Sequence, residues 1–293
     1  MTEHTTTEYL PTPTTALTDL AMVESGRWHD GRLWFAHWVA GEVIAADPSS
    51  GTTEVIAPGP ERMGWAIDWL PDGRLLVTGD DTTVHGPDGG SARFSAQGGN
   101  EIAIDPRGHV YVNGADFDFL GGGAPEPGWI RLLGPDGSVR DVAGDIEFPN
   151  GMLVTPDGRT LVVAESFAGR LSAFDIADDG SLTNRRVWAE GLGPDGICID
   201  GQGGIWAQTA DTFAHGGSGP AGAIVRVLEG GEITHRVETD QPCFACALGG
   251  PDGRDLFLLC NDWEGIETAY AVTERRSARV LTTRAPFAAP GLG

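Results

Sequence analysis

The chain has 293 residues, 40% of them hydrophobic, with 44 glycines, 19 prolines and a formal net charge of −23. That apolar content excludes global disorder, and the acidic balance excludes both a phosphate-neutralising nucleic-acid surface and binding to an anionic membrane. There is no apolar run of about 18 residues and no basic, apolar leader, so neither a membrane-spanning helix nor a secretory signal is expected, and the expected compartment is the cytoplasm.

Residues 1–15 (MTEHTTTEYLPTPTT), rich in Thr and Pro, read as a flexible N-terminal segment ahead of one domain over 16–290. From there one phrase recurs: Asp-Gly or a near equivalent, a polar residue, then apolar β-formers. It appears as His29-Asp30-Gly31-Arg32-Leu33-Trp34-Phe35 and again as Pro71-Asp72-Gly73-Arg74-Leu75-Leu76-Val77. Looser copies follow, and the aligned glycines fall at 31, 73, 108, 158, 203 and 253, in steps of 42, 35, 50, 45 and 50 residues. A turn plus strand repeated at this interval is the signature of a propeller blade. Six copies predict an all-β, six-bladed β-propeller whose function sits in a central channel, where a metal site is expected.

Between the phrases, Gly41–Pro48 with Ser49–Ile56 and Gly169–Ile176 with Asp178–Leu182 read as strand, turn, strand. The spacing therefore predicts an inner strand after each Asp-Gly turn and an outer hairpin beyond it. Residues 116–128 (DFDFLGGGAPEPG) and 211–222 (DTFAHGGSGPAG) are longer than a hairpin needs, and loops of that size on a rigid scaffold are often functional. They are expected to wall the channel mouth. Cys243-x-x-Cys246 lacks a second pair at zinc-ribbon spacing, and Cys198 and Cys260 lie in apolar runs, so buried free thiols are expected.

Four polar residues stand at nearly one distance before their blade's glycine: Glu24 seven residues ahead, and Asn100, Asn150 and Asp195 eight. Equivalent positions of different blades converge on the propeller axis. Asn150-Gly151 and Asp195-Gly196 also suit simple turns; the shared register favours a site. Carboxylates forced together repel, so the cluster calls for a cation, and oxygen-only ligands suit a hard one.

The phrases Glu24–Trp38 (ESGRWHDGRLWFAHW), Phe148–Ala173 (FPNGMLVTPDGRTLVVAESFAGRLSA) and Pro194–Trp206 (PDGICIDGQGGIW) resemble the SMP-30/gluconolactonase family. The resemblance runs through nearly the whole chain. It implies one divalent cation, Ca²⁺ first and Mg²⁺, Mn²⁺ or Zn²⁺ as alternatives, held by Glu24, Asn150 and Asp195, with Asp195 also the general base. Asn100 matches a position that contacts substrate or the water shell of the metal. Asn113, Asp116, Phe117, His37 and, in the second long loop, His215 complete the expected substrate contacts.

Two departures bear on the substrate. Sugar-lactone members carry Arg two residues before the Asn100 position, where this chain has Gly98, and the segment that holds an acidic contact reads Asn113-Gly114-Ala115-Asp116-Phe117-Asp118-Phe119. His37 stands where an aspartate is common. The expected activity is metal-dependent hydrolysis of a lactone or related ester, not of a simple sugar acid. Phosphotriester hydrolysis on the same propeller and a non-catalytic, metal-stabilised binding propeller are the alternatives. No Gly-x-Ser-x-Gly elbow is present to supply a covalent nucleophile. Ser166 reads as a strand residue with a packing role. The partner is a small molecule, and the oligomeric state is left open.

Overall fold

The computed structural model describes residues 6–119, 121–210, 222–265 and 269–291. Two short N-terminal strands, β1 (Glu8–Tyr9) and β2 (Thr14–Leu20), precede six sheets. The first sheet is β3 (Met22–His29), β4 (Arg32–Trp38), β5 (Glu42–Asp47) and β6 (Thr52–Pro58). The second holds β7 (Ile67–Trp69), β8 (Leu75–Val77), β9 (Thr82–His85) and β10 (Ser91–Ser95), and the third β11 (Glu101–Ile104), β12 (Val110–Gly114), β13 (Gly128–Leu133) and β14 (Val139–Ile146). The fourth is β15 (Pro149–Val154), β16 (Thr160–Glu165), β17 (Arg170–Ile176) and β18 (Leu182–Glu190); the fifth β19 (Cys198–Ile199), β20 (Ile205–Gln208), β21 (Ala223–Val227) and β22 (Ile233–Glu238). The sixth has β23 (Cys243–Gly249), β24 (Asp255–Cys260) and β25 (Ala278–Arg284), with a short helix α1 (Ala269–Glu274) before its last strand. Within each sheet the successive strands run antiparallel, which makes a six-bladed β-propeller. No helix of the described residues is long and apolar enough to cross a membrane.

The first strands of the sheets, β3, β7, β11, β15, β19 and β23, are the ones that meet across blades and line the axis. This corrects the expected position of the inner strand: it precedes each Asp-Gly turn, and the apolar run after the turn is the second strand of its blade. The reason is packing. Leu33, Phe35, Leu161, Val162, Val163, Leu258 and Leu259 are almost wholly buried because a second strand has a neighbouring blade on each face.

The N-terminal segment also departs from expectation. Thr14–Leu20 pairs antiparallel with β25 as the outer strand of the sixth blade, and Glu8–Tyr9 pairs parallel with β22 in the fifth. An early strand and the last strand thus share one sheet, which closes the ring. The core is a set of interblade layers. Leu33 and Phe35 pack with Phe257 and Leu259 between the first and last blades, and Tyr111 and Ile130 pack with Leu161 and Val163 between the third and fourth.

All four cysteines are free. Cys243, Cys246 and Cys260 are buried as expected, whereas Cys198 is half-buried, with its Sγ 3.4 Å from that of Cys246. The Cys243-x-x-Cys246 pair packs in the apolar layer between blades five and six.

Candidate functional site

Four of the six blades deliver a polar group to one end of the channel from their inner strand or the segment leading into it. Glu24 lies on β3, Asn150 on β15, Asn100 just ahead of β11, and Asp195 on the segment leading into β19. Bulges in β3 between Glu24 and Arg27, and in β15 between Pro149 and Met152, interrupt the pairing at this end. Ser25, inside the first bulge, has a positive φ of 52°. Such bulges re-aim side chains, so strand pairing here is not a plain count back from the turn glycine.

The four expected residues come together. Asn100 Nδ2 donates to Asn150 Oδ1 at 3.3 Å. Asn150 is held in turn by Asn113, whose Nδ2 donates to the Asn150 carbonyl at 2.6 Å. Gly151 N donates to the Asp195 carbonyl at 3.2 Å, and a Cβ on Gly151 would overlap that oxygen, so only glycine allows blades four and five to meet so closely. Asp195 N is held by Gln208 Oε1 at 2.8 Å, while Gln208 Nε2 donates to the carbonyls of Gly196 and Phe244.

The electrostatics set the demand for a cation. Glu24 is 2% exposed and Asp195 7%. Burial, then the neighbouring Asp195 and Glu101, push the Glu24 carboxyl well above the usual carboxylate range. Burial and then Glu101 do the same to Asp195. Among the described residues neither carboxylate forms an ion pair, because the nearby guanidinium of Arg27 is committed to Glu101 at 3.3 Å and to the Ile102 carbonyl at 3.1 Å. Two buried carboxylates beside amide oxygens fit a hard divalent ion. Asn113 Oδ1 adds a buried oxygen without a partner. No cluster of three or more His, Cys, Asp or Glu side chains placed to hold a metal exists among the described residues. The candidate set is two carboxylates and an amide.

Below this cluster Arg27, Glu101 and Asp68 plug the channel. Beyond them the lower mouth opens into a separate cavity of about 320 Å³ lined by Arg27, Trp28, Asp68 and Cys198.

Other expected contacts fall differently. His37 is a correction: its Nε2 accepts from Ala21 N and its Nδ1 donates to Glu42 Oε2, both at 2.9 Å, in a ring 2% exposed. Both nitrogens are used to hold the N-terminal strands, and burial lowers its proton affinity. Asn113 touches Asn150 and backs the site. Asp116 is exposed, and its Oδ1 accepts from Trp129 Nε1 at 2.9 Å, anchoring the first long loop. His215 and the loop over 211–221 lie outside the described residues. Gly98 is buried, and any Cβ there would overlap the Gly79 carbonyl oxygen, so no side chain can occupy the position of the family arginine. Arg62 is nearby: its Nη1 donates to the Gly64 carbonyl, and a Cβ on Gly64 would lie 3.3 Å from Asn100 Oδ1.

Phe117 is joined by Phe119, Phe148 and Phe167 in one aromatic cluster on the loop face. The rings of Phe148 and Phe167 stack at 4.3 Å and 9°, and Phe119 lies 4.7 Å from Phe148. Trp65 and Phe244 instead belong to the core.

Sequence reading missed Gln208, Glu101, Arg27 and the role of Ser166. Ser166 lies in the turn after β16, not in the strand, and its hydroxyl donates to the Pro194 carbonyl at 2.7 Å. The readable signal was Glu101 beside Asn100 and Arg27 three residues after Glu24. A channel arginine on the first blade and acids at Asp68 and Glu101 on the next two imply a plug.

Comparison with known proteins bears on the family and the fold. The family model described as SMP-30/gluconolactonase/LRE-like region matches residues 22–261. A protein named lactonase drp35 from Staphylococcus saprophyticus is 27% identical over 236 residues, 73% of this chain and 70% of that protein. The diisopropyl-fluorophosphatase of Loligo vulgaris is 28% identical over 192 residues, covering 55% of this chain and 60% of that protein, so this match spans less than two thirds of the relative's length. A solved structure from Agrobacterium tumefaciens, titled as the calcium-binding protein regucalcin, superposes with a TM-score of 0.72 at 18% identity over 97% of this chain and 98% of that one, a likeness of fold.

Proposed function

Because this chain belongs to the SMP-30/gluconolactonase/LRE-like family, we propose that it is a divalent-metal-dependent hydrolase that opens a lactone or related ester, other than a simple sugar-acid lactone. The observation that carries the reading is the pair of buried carboxylates, Glu24 and Asp195, with no protein cation paired to them. Glu24, Asn150 and Asp195 would hold the ion, Ca²⁺ first by analogy with the calcium-binding relative. The chemistry such an ion supplies when bound is polarisation of an ester carbonyl and acidification of water.

The protein groups do the rest. Asp195 in its ionised form takes a proton from the attacking water as the water oxygen bonds to the carbonyl carbon. The ring C–O bond then breaks, and the departing oxygen takes a proton from Asp195, releasing the hydroxy acid. Ser166 and Gln208 grip the Pro194–Asp195 peptide group by its carbonyl and its N–H, and Gln208 also holds the Gly196 carbonyl beyond Asp195. Asn113 and Asn100 fix Asn150. The Arg27–Glu101 plug closes the channel below, which keeps bulk water from that side. The absence of room for an arginine at Gly98 argues against a polyhydroxylated acid as substrate.

A second reading, phosphotriester hydrolysis, is favoured by the likeness to the fluorophosphatase. Titrating acid release from a panel of lactones, aryl esters and phosphotriesters separates the two. Calcium-dependent lactone opening, lost in Asp195→Asn, supports the proposal. Turnover of phosphotriesters alone favours the second reading, and full lactone turnover by Asp195→Asn refutes the assigned base.

A further inference from the structure

The aromatic cluster on the loop face is attached to the site by chain and by hydrogen bonds. Phe148 is separated from Asn150 by a single proline. Its carbonyl accepts from Ser166 N at 3.1 Å, and the Ser166 hydroxyl reaches the Pro194 carbonyl next to Asp195. Phe167 follows Ser166 directly. Phe117 and Phe119 come from the long loop after β12, whose Asn113 holds Asn150, and their rings lie 5.9 and 4.7 Å from Phe148. Two blades thus bring four rings to the channel mouth beside two of the candidate ligands.

Two features set this cluster apart from ordinary core. Phe148 has a φ of 57°, a strained left-handed conformation uncommon for an aromatic residue. Phe167, stacked on it, keeps 48% of its surface exposed. A strained backbone that holds a half-exposed ring pair beside a catalytic carboxylate points to function rather than to packing. The rings carry no hydrogen-bonding group, so what they can hold is apolar. On the Asn100 side, the wall is polar, with Arg62 ion-paired to Asp80 at 3.1 Å.

We propose that Phe117, Phe119, Phe148 and Phe167 form a specificity cradle for an apolar ring or chain carried by the substrate. The preferred substrate is then a lactone or ester with a hydrophobic substituent next to the hydrolysed bond. This rests on the hydrolase reading above, which supplies the bond that is cut. The occupant follows from position: a substrate whose carbonyl lies at Asp195 places its substituent against the Asn150 and Ser166 flank, where these rings stand.

The test separates cradle from chemistry. Calorimetric titration of the calcium-supplemented protein with 2-pyrrolidinone and 5-pentyl-2-pyrrolidinone, ring amides shaped like γ-butyrolactone and γ-nonalactone, reads binding without turnover. Each fully buried methylene strengthens binding about fourfold, so the pentyl amide should bind at least about tenfold more tightly. Phe167→Ala, at an exposed position, should lower that advantage several-fold, and Phe117→Ala should do so independently. The ratio of kcat/KM for γ-nonalactone over γ-butyrolactone should fall in parallel. Equal binding of the two amides to the unmodified protein overturns the cradle, as does an advantage untouched in both variants. Hydrolysis of both lactones without preference also overturns it while leaving the hydrolase reading intact. A pentyl preference with no hydrolysis of either lactone supports the cradle and rejects the hydrolase reading. Self-association that disappears in Phe167→Ala, without any pentyl preference, assigns the rings to a contact between copies and overturns the cradle.

Discussion

The hydroxyl of Ser166 donates to the carbonyl of Pro194 at 2.7 Å, a bond between two blades that ends on the residue before Asp195. It fixes the backbone from which the carboxylate projects, with Gln208 holding the same segment from the other side. A bond of this kind contributes about 1 kcal/mol, equivalent to about fivefold in an equilibrium. Ser166→Ala should therefore lower kcat severalfold with little change in KM, and Ser166→Thr should restore much of it. An equal loss in Ser166→Ala and Ser166→Thr would argue against this positioning role.

Gly98 presses on the Gly79 carbonyl closely enough to exclude a Cβ. Gly98→Ala should lower stability by about 1–3 kcal/mol, the usual cost of overpacking, seen as a lower midpoint in denaturant. Gly98→Arg should be worse and should not confer turnover of glucono-lactone. A stable Gly98→Arg protein that hydrolyses sugar-acid lactones would show that the missing arginine, and not the shape of the site, decides the substrate.

Glu165, at the end of β16 beside Ser166, gives a pH prediction for stability. It is fully buried and accepts from Arg170 Nε and Nη2 at 3.0 Å, Arg185 Nη2 at 2.9 Å, Glu147 N at 3.0 Å and the Ser172 hydroxyl. Burial by itself raises its pKa, but Arg170, the Glu147 amide, Ser172 and Arg185 outweigh that and lower it from 4.5 to about 2. The folded protein thus binds this proton less readily than the unfolded chain. The resulting stability, about 3 kcal/mol, is present above pH 4.5 and is lost as pH falls towards 2. Denaturant melts between pH 6 and 2 should show a smaller acid-dependent loss in Glu165→Gln than in the unmodified protein. That variant should also be less stable at neutral pH, where Arg170 and Arg185 lose their charge partner. Parallel pH curves for the two proteins would contradict this.

The blades were legible in the sequence because the Asp-Gly turn is local chemistry: Gly31, Gly73, Gly108, Gly158, Gly203 and Gly253 all have positive φ. The convergence of Glu24, Asn100, Asn150 and Asp195 was legible because the propeller repeats one geometry. What escaped was non-local. Thr14 and Thr15 read as the end of a polar tail until β25 offers them partners some 260 residues away in the chain. His37 looks like a contact residue until the chain path brings Ala21 N and Glu42 to its two nitrogens. Ser166 and Gln208 act through backbone carbonyls and amides of other blades, which leaves no trace in residue spacing.

Glu24 and Asp195 are most directly questioned by calorimetric titration of calcium into chelator-treated protein, carried out on the unmodified chain and on Asp195→Asn. One ion should bind per chain in the unmodified protein, and binding should be weakened by orders of magnitude in Asp195→Asn. No binding in the unmodified protein, or equal binding in both, would show that these buried carboxylates do not form the proposed metal site.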